Sequence, residues 1–351
     1  MNSAVTLALT PFGHLYGVAM RARRALYSSG RFRVHELGVP VISVGNLTTG
    51  GTGKTPLVEW IARELARTGE RVCILTRGYG RAKPGARVVV SDGKEILSNA
   101  AEAGDEPLLL AETLKGMAAV ISDADRVAAA SWAIDNLHSK VFLLDDGFQH
   151  LRVARDLNIL TIDASNPWGN RKLLPAGSLR ESPAELARAD CIVITRADDA
   201  HALEELRSEI AALNHEAPIF LSRMRISAIR EVRGKLGQSS ILEKEIKRTR
   251  LAAFCGLGNP ESFFSLLRRA GYQPAYTQTF RDHHTYTQSD LDQITRRSVA
   301  RGAQILLTTA KDEVKLRPLT SRLPCYVVEI EIEIENEETL KALIAAATSI
   351  R

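Results

Sequence analysis

One stretch, VISVGNLTTGGTGKT at positions 41–55, constrains this chain more than any other. An apolar run passes into a glycine-rich turn ending in Gly53-Lys54-Thr55, and LVEWIARELARTG (57–69) follows as a helix that stops at Gly69. Glycines let backbone N–H groups turn inward around an anion, and a helix starting behind them adds the positive end of its dipole. On this reading Thr48, Thr49, Gly50, Gly51, Thr52, Gly53, Lys54 and Thr55 cradle the phosphates of a nucleotide. Lys54 reaches the β- and γ-phosphates, the Thr55 hydroxyl serves Mg²⁺, and Pro56 suits a first helical turn, where its missing N–H costs little. The pattern G-x-x-x-x-G-K-[ST] opens on glycine. Here that position is Thr48, and Gly50 and Gly51 supply the freedom later in the loop.

The rest of the chain repeats the same alternation. PVISV (40–44), RVCIL (71–75), ARVVV (86–90), AAVIS (118–122), VFLLD (141–145), NILTI (158–162) and CIVIT (191–195) read as strands buried on both faces, as in a parallel sheet covered by helices. The expectation is an α/β fold: a P-loop NTPase-like, mostly parallel sheet flanked by helices over 39–217. From 218 the chain turns extended and basic, then strongly charged, and 218–250 is read as linker strands. A second, smaller α/β domain is expected over 251–351. CYVVEIEIEIE (325–335) returns within it as a half-exposed strand whose acidic face matches the arginines of 223–233.

A phosphate loop needs an acid for its metal. Asp145-Asp146 ends the apolar run 141–145, and a carboxylate at the carboxyl end of a parallel strand faces the crevice where ligands bind in such sheets. The competing reading of Asp-Asp-Gly is a solvated turn. The phosphate loop upstream favours the metal.

The net charge of +5 is unevenly spread: residues 1–40 hold five arginines against Glu36. A basic arm beside apolar residues points to an anionic membrane surface and away from nucleic acid. The uncharged first twenty residues are too polar for a spanning helix, and positive charge following the apolar stretch makes a poor signal peptide. After Pro11, the spacing of Phe12, Leu15, Tyr16, Ala19 and Met20 predicts an amphipathic helix within a membrane-associating segment 1–38. The alternative is a helix packed on the protein's own core. Cys73, Cys191, Cys255 and Cys325 lack C-x-x-C spacing and read as core residues, with no zinc site.

GNLTTGGTGKTP, RGYGR (77–81), AGDEP (103–107), DDGFQH (145–150), LPAGSLRE (174–181), GLGNPESFF (256–264) and DHHTY (282–286) occur in that order. The set, spanning roughly 12–316, resembles the tetraacyldisaccharide 4′-kinase family of Gram-negative bacteria. The resemblance implies ATP- and Mg²⁺-dependent phosphorylation of the 4′-hydroxyl of tetraacyldisaccharide 1-phosphate in lipid A biosynthesis. It implies a peripheral or monotopic enzyme at the cytoplasmic face of the inner membrane that needs no protein partner. It also implies roles for residues. Asp105 is the base that takes the hydroxyl proton, and His283 pairs with it, His284 being an extra histidine. Asp145, Asp146 and Glu181 join Thr55 at the metal, with Asp146 also catalytic. Arg180 lines the site, and Tyr79, Arg126 and His150 are secondary contacts. Read from residues alone, the favoured readings are a solvated Asp105 capping a helix and a polar loop at 282–284. The other enzyme class open to such a chain is an NTPase that drives a protein partner, though it lacks the lysine at Thr49 and any C-x-x-C. The third is a non-catalytic nucleotide-binding module.

Overall fold

The computed structural model describes residues 3–78, 81, 83, 85–199, 202–232 and 245–349. The chain forms two compact units, Met1–Arg223 with Ile334–Arg351, and Met224–Glu333.

In the first unit the strands are β1 (Val41–Asn46), β2 (Val72–Thr76), β3 (Val88–Ser91), β4 (Ala118–Ser122), β5 (Val141–Asp145), β6 (Leu157–Asp163), β7 (Cys191–Thr195) and the start of β8 (Ile219–Glu231). Their order is β8-β7-β6-β1-β5-β2-β4-β3. Pairing is parallel from β8 to β4. Every residue of β1, β2 and β4–β7 is buried, as unbroken Val, Ile and Leu runs require when helices cover both faces. β3 departs from the expected pattern. It is an edge strand, antiparallel to β4 and only half covered at its start, because it has a neighbour on one side alone.

Around β2 and β5, Cys73, Leu75, Ile121, Phe142 and Leu144 meet Ala129, Ala130 and Ala133 of the helix Arg126–Leu137. Small alanines let that helix lie close to the sheet. Around β6 and β7, Leu160, Ile162, Ile192 and Ile194 meet Leu206 and Ile210 of the helix Leu203–Leu213. The helix Lys54–Arg67 buries Leu57, Val58, Ile61, Ala62 and Leu65, one face at helical spacing. The last helix, Glu337–Ser349, buries Leu340, Ile344 and Ala347 in this same unit.

The N-terminal helix runs Ser3–Ser28 and includes Pro11, so it starts earlier than the sequence pattern predicts. One face docks on the protein. A Cβ at Gly17 would lie 2.6 Å from Leu173 Cδ1, and Lys172 Nζ donates to Thr10 Oγ1 at 3.1 Å. Elsewhere on the helix Phe12, Leu15 and Val18 are more than half exposed.

The second unit holds β9 (Leu251–Cys255), β10 (Tyr276–Thr279), β11 (Ile305–Thr309) and β12 (Cys325–Ile334), in the order β10-β9-β11-β12 with parallel pairing, and β12 lies beside β8. Phe254, Tyr286, Leu291, Ile294 and Leu306 form one of its cores. The expected pairing of the alternating acidic strand with the basic run is present: Arg230 meets Glu329 at 2.6 Å, Arg225 pairs with Glu333, and in the first unit Arg223 meets Glu335 at 2.5 Å.

Candidate active site

β1 lies between β5 and β6, with Val44 level with Asp145 and Asn46 level with Thr161. This register sets the phosphate loop, leaving β1, beside the acids that end β5. Gly53 caps the helix Lys54–Arg67 in the left-handed region (φ 75°), which disfavours a side chain, and no side chain caps that helix. Its first-turn N–H groups therefore remain for an anion. Asn46 shapes the loop from below. Its Oδ1 accepts from Lys54 Nζ at 3.1 Å, and its amide nitrogen donates to Thr48 Oγ1 at 3.4 Å. Thr52 Oγ1 lies 3.0 Å from Thr161 Oγ1, and the Thr195 hydroxyl donates to the Thr52 carbonyl at 2.8 Å, tying the loop to β6 and β7.

The segment 174–181 is stitched to this loop through its backbone. Thr49 N–H donates to the Ser178 carbonyl and Arg180 N–H to the Leu47 carbonyl, both at 2.7 Å. These bonds bring Arg180 to the acids: its Nη1 donates to Asp146 Oδ2 at 2.7 Å, while Asp146 Oδ1 lies 3.5 Å from Lys54 Nζ. Asp146 sits in the left-handed region (φ 51°), an uncommon conformation for a residue with a side chain. Arg126, nearly buried, opens the helix Arg126–Leu137 and donates to the carbonyls of both Asp145 and Asp146, so it grips the turn from behind.

The two acids differ in charge balance. Burial, then the negative charges of Glu106 and Asp146, push Asp145 up to about 6, against the pull of Lys54 and Arg126. For Asp146 burial also acts upward, but Lys54, Arg180 and Arg126 outweigh it and hold the carboxyl at about 2. Asp146 Oδ1 is buried without a hydrogen bond. Uncapped helix N–H groups, a lysine, and hard oxygen donors at Thr55, Asp145 and Asp146 form a set suited to phosphate and a divalent cation.

The remaining expected residues fall as follows. Asp105 is half-buried and opens the helix Asp105–Thr113 with Gly104 as its cap, where the helix dipole favours a carboxylate. Glu181 is buried, accepting from Arg188 Nη2 at 2.6 Å and from Gln149 Nε2 at 3.1 Å, both on Oε2. His150 is neutral: burial and then the charges of Arg126, Arg155, Arg152 and Arg23 lower it to about 3. Tyr79 lies outside the described residues. In the second unit His283 is exposed in the left-handed region (φ 59°), beside Asp282, which Lys311 holds at 3.0 Å. His284 differs, stacking on Phe280 and sitting 3.2 Å from Asp290. Sequence reasoning missed Asn46, Gln149, Glu106 and Arg188. The first three lie inside or beside quoted motifs; Arg188 has no motif signal. Among the described residues no cluster of three or more His, Cys, Asp or Glu is arranged to hold a metal.

A central parallel sheet, an uncapped glycine loop at the end of β1 and paired acids at the end of β5 define a P-loop nucleotide-binding protein. A family model described as Tetraacyldisaccharide-1-P 4′-kinase matches residues 5–349. The chain belongs to this family. It is 42% identical over 330 residues to the tetraacyldisaccharide 4′-kinase of Geobacter metallireducens, covering 94% of each chain. To that of Geobacter sulfurreducens it is 40% identical over 337 residues, 94% of this chain and 90% of the relative. Among solved structures, an "apo" form LpxK from Aquifex aeolicus in complex with ATP aligns with a TM-score of 0.77 at 32% identity, covering 98% of this chain and 99% of that one. The alternative of an NTPase driving a protein partner is not favoured.

Proposed function

We propose that this chain transfers the γ-phosphoryl group of ATP to the 4′-hydroxyl of tetraacyldisaccharide 1-phosphate, a step of lipid A biosynthesis. The match of the family model along residues 5–349 carries the reading, and the phosphate loop supplies its chemistry. Backbone N–H groups of 48–55 and Lys54 take the β- and γ-phosphates, and Arg180 is poised beside them through Asp146. Thr55, Asp145 and Asp146 offer oxygens to Mg²⁺. Glu181, with Oε2 engaged by Arg188 and Gln149, has Oε1 left to offer. Mg²⁺, when bound, neutralises charge on the phosphate oxygens. Asp105 accepts the proton of the sugar hydroxyl, a weak nucleophile until it is relieved of that proton. His283 is assigned a part in turnover on its DHH motif.

A tetraacylated acceptor is costly to extract from a bilayer, at about 0.8 kcal/mol per CH₂. No helix among the described residues is long and apolar enough to cross a membrane. The exposed Phe12, Leu15 and Val18, on a helix that also carries Arg21, Arg23 and Arg24, favour docking on an anionic surface at the cytoplasmic face. Removing residues 1–28 then reduces sedimentation with anionic vesicles; unchanged sedimentation rejects the docking role.

The deciding experiment incubates purified protein with labelled ATP, Mg²⁺ and the acceptor in detergent micelles. Label on the lipid, lost in Lys54→Ala, is expected. Release of free phosphate without labelled lipid would overturn the reading.

A further inference from the structure

We propose that Arg188, outside every phosphate-site motif, is a positioning residue that holds Glu181 and, through Gln149, sets the Arg180 guanidinium. The inference rests on the assignment of Arg180 and Glu181 to the phosphoryl-transfer site.

Arg188 ends a short 3₁₀ turn, Pro183–Arg188, whose start is capped by the Ser182 hydroxyl. Its side chain is only 18% exposed. Phe148, Glu181 and Glu185 surround it, and Nη1 also donates to the Phe148 carbonyl at 3.4 Å. The guanidinium lies over the Phe148 ring, with Cζ 4.2 Å from the ring centre. Nη2 donates to Glu181 Oε2 at 2.6 Å. Nε makes a charge contact with Glu185 Oε2 at 2.8 Å, and Glu185 in turn takes Arg24 Nη1 of the N-terminal helix at 2.6 Å. Phe148 is itself tightly packed. It is fully buried against Gly45 of β1, where an added Cβ would lie 2.5 Å from Phe148 Cβ. The stacking surface for Arg188 is thus built on the strand that delivers the phosphate loop.

From Arg188 the contacts lead inward without a gap. Glu181 Oε2 also accepts from Gln149 Nε2 at 3.1 Å, and that amide donates to the Asn46 carbonyl at 2.9 Å. Gln149 Oε1 accepts from Arg180 Nη1 at 3.4 Å, and the same Nη1 donates to Asp146 Oδ2 at 2.7 Å. Among the described residues Glu181 is a buried carboxylate with one cationic partner in direct contact. Remove that partner and the buried charge is uncompensated, so the carboxylate turns toward other donors and Gln149 loses its fixed acceptor. Arg188 touches neither the phosphate loop nor Asp145 and Asp146; its side chain meets Glu181, Glu185 and Phe148, and the path from it to Arg180 runs through Glu181. A lysine keeps the charge but loses the stack and the second carboxylate contact.

The test measures kcat and KM for ATP and for the micellar acceptor in Arg188→Met, Arg188→Lys, Glu181→Gln and Arg188→Met/Glu181→Gln, with thermal unfolding of each. Arg188→Met is expected to lower kcat on the order of 10–100-fold, as loss of a supporting contact behind a site residue does, with the acceptor KM changed less than about twofold. Arg188→Lys falls between Met and the natural residue. In the Glu181→Gln background the Arg188→Met change costs no further kcat. Unchanged kcat in folded Arg188→Met overturns the inference, as does a full additional loss in the double variant. Should Arg188→Met not fold, Arg188→Lys with and without Glu181→Gln is judged by the same two criteria. Full turnover in both Arg180→Ala and Glu181→Gln would instead overturn the site assignment beneath it.

Discussion

Each unit buries an aspartate at or just past the carboxyl end of a parallel strand, and Asp312 of the second unit is held in a different way from Asp145 and Asp146 of the first. In the second unit Asp312, fully buried behind β11, is saturated with neutral donors. It accepts from Thr309 Oγ1 at 2.7 Å, Tyr286 Oη at 3.0 Å and Gly256 N–H at 3.1 Å. Burial raises its pKa and these bonds pull it down, and what they accomplish is structural: they join β9, β11 and the 280–287 loop. In the first unit Asp145 and Asp146 face charges instead. Lys54 and Arg180 balance Asp146, while Asp145 is pressed by Glu106 and Asp146. A donor-saturated acid has little capacity left for a ligand. An acid held against other acids gains when a cation arrives, in keeping with the metal role proposed for Asp145 and Asp146.

The sharpest break of this comparison is in turnover. Asp146→Ala removes the group that lies between Lys54 and Arg180, and lipid phosphorylation is expected to fall on the order of 10³-fold while the protein stays folded. Near-normal turnover would make the first-unit acids structural like Asp312. The converse exchange comes next. Asp312→Ala leaves the Tyr286 hydroxyl, the Thr309 hydroxyl and the Gly256 N–H unsatisfied in the core, and denaturant unfolding should show a loss of about 2–4 kcal/mol. A loss below about 0.5 kcal/mol, the usual range of an uninvolved surface site, would show that Asp312 joins nothing.

The two ends of the comparison were unequally legible in sequence. Val141–Asp145, Ala118–Ser122 and Cys191–Thr195 occur where the apolar runs place them, because strands buried on both faces admit little else. The phosphate loop was legible for a similar reason, since few residue types satisfy a turn that wraps an anion. Asp312 carries no comparable signal. Thr309 is three residues before it, but its other partners come from positions 256 and 286, distant in the chain, and only the fold brings those to it. The same holds for Arg188 and Gln149, which act by touching other side chains. Strand β3 looked as apolar as its neighbours, but whether a run lies inside a sheet or at its edge depends on what pairs with it. Likewise the helix pattern after Pro11 was visible, yet its start before Pro11 was not, because a proline deletes one hydrogen bond without ending a helix held by packing on 172–176.

The finest distinction lies between the adjacent acids themselves, and pH resolves it. The folded protein holds the Asp145 proton up to about 6, whereas the unfolded chain gives it up near the ordinary 3.8. Between those values the folded state binds more protons, so the Asp145 contribution to stability falls as pH rises through the window, and its full cost is present above pH 6. Asp146 runs the other way: its stabilisation is complete above 3.8 and is lost only as pH falls toward about 2, so it is constant across pH 4–6. His150 does titrate there. Lowered to about 3, it contributes stability that is full above 6.5 and declines as pH falls, opposing Asp145. A difference measurement cancels it, because natural protein and Asp145→Asn share His150. Without nucleotide or Mg²⁺, Asp145→Asn should therefore be more stable by about 2–3 kcal/mol at pH 7, with the gap closing as pH approaches 4. Asp146→Asn, compared in the same way, should be less stable throughout. Unfolding midpoints at pH 4.5, 5.5 and 7 decide it. A gap for Asp145→Asn that is absent at pH 7 would mean that Lys54 and Arg126 already balance both acids, and that the first unit stores no charge awaiting a cation.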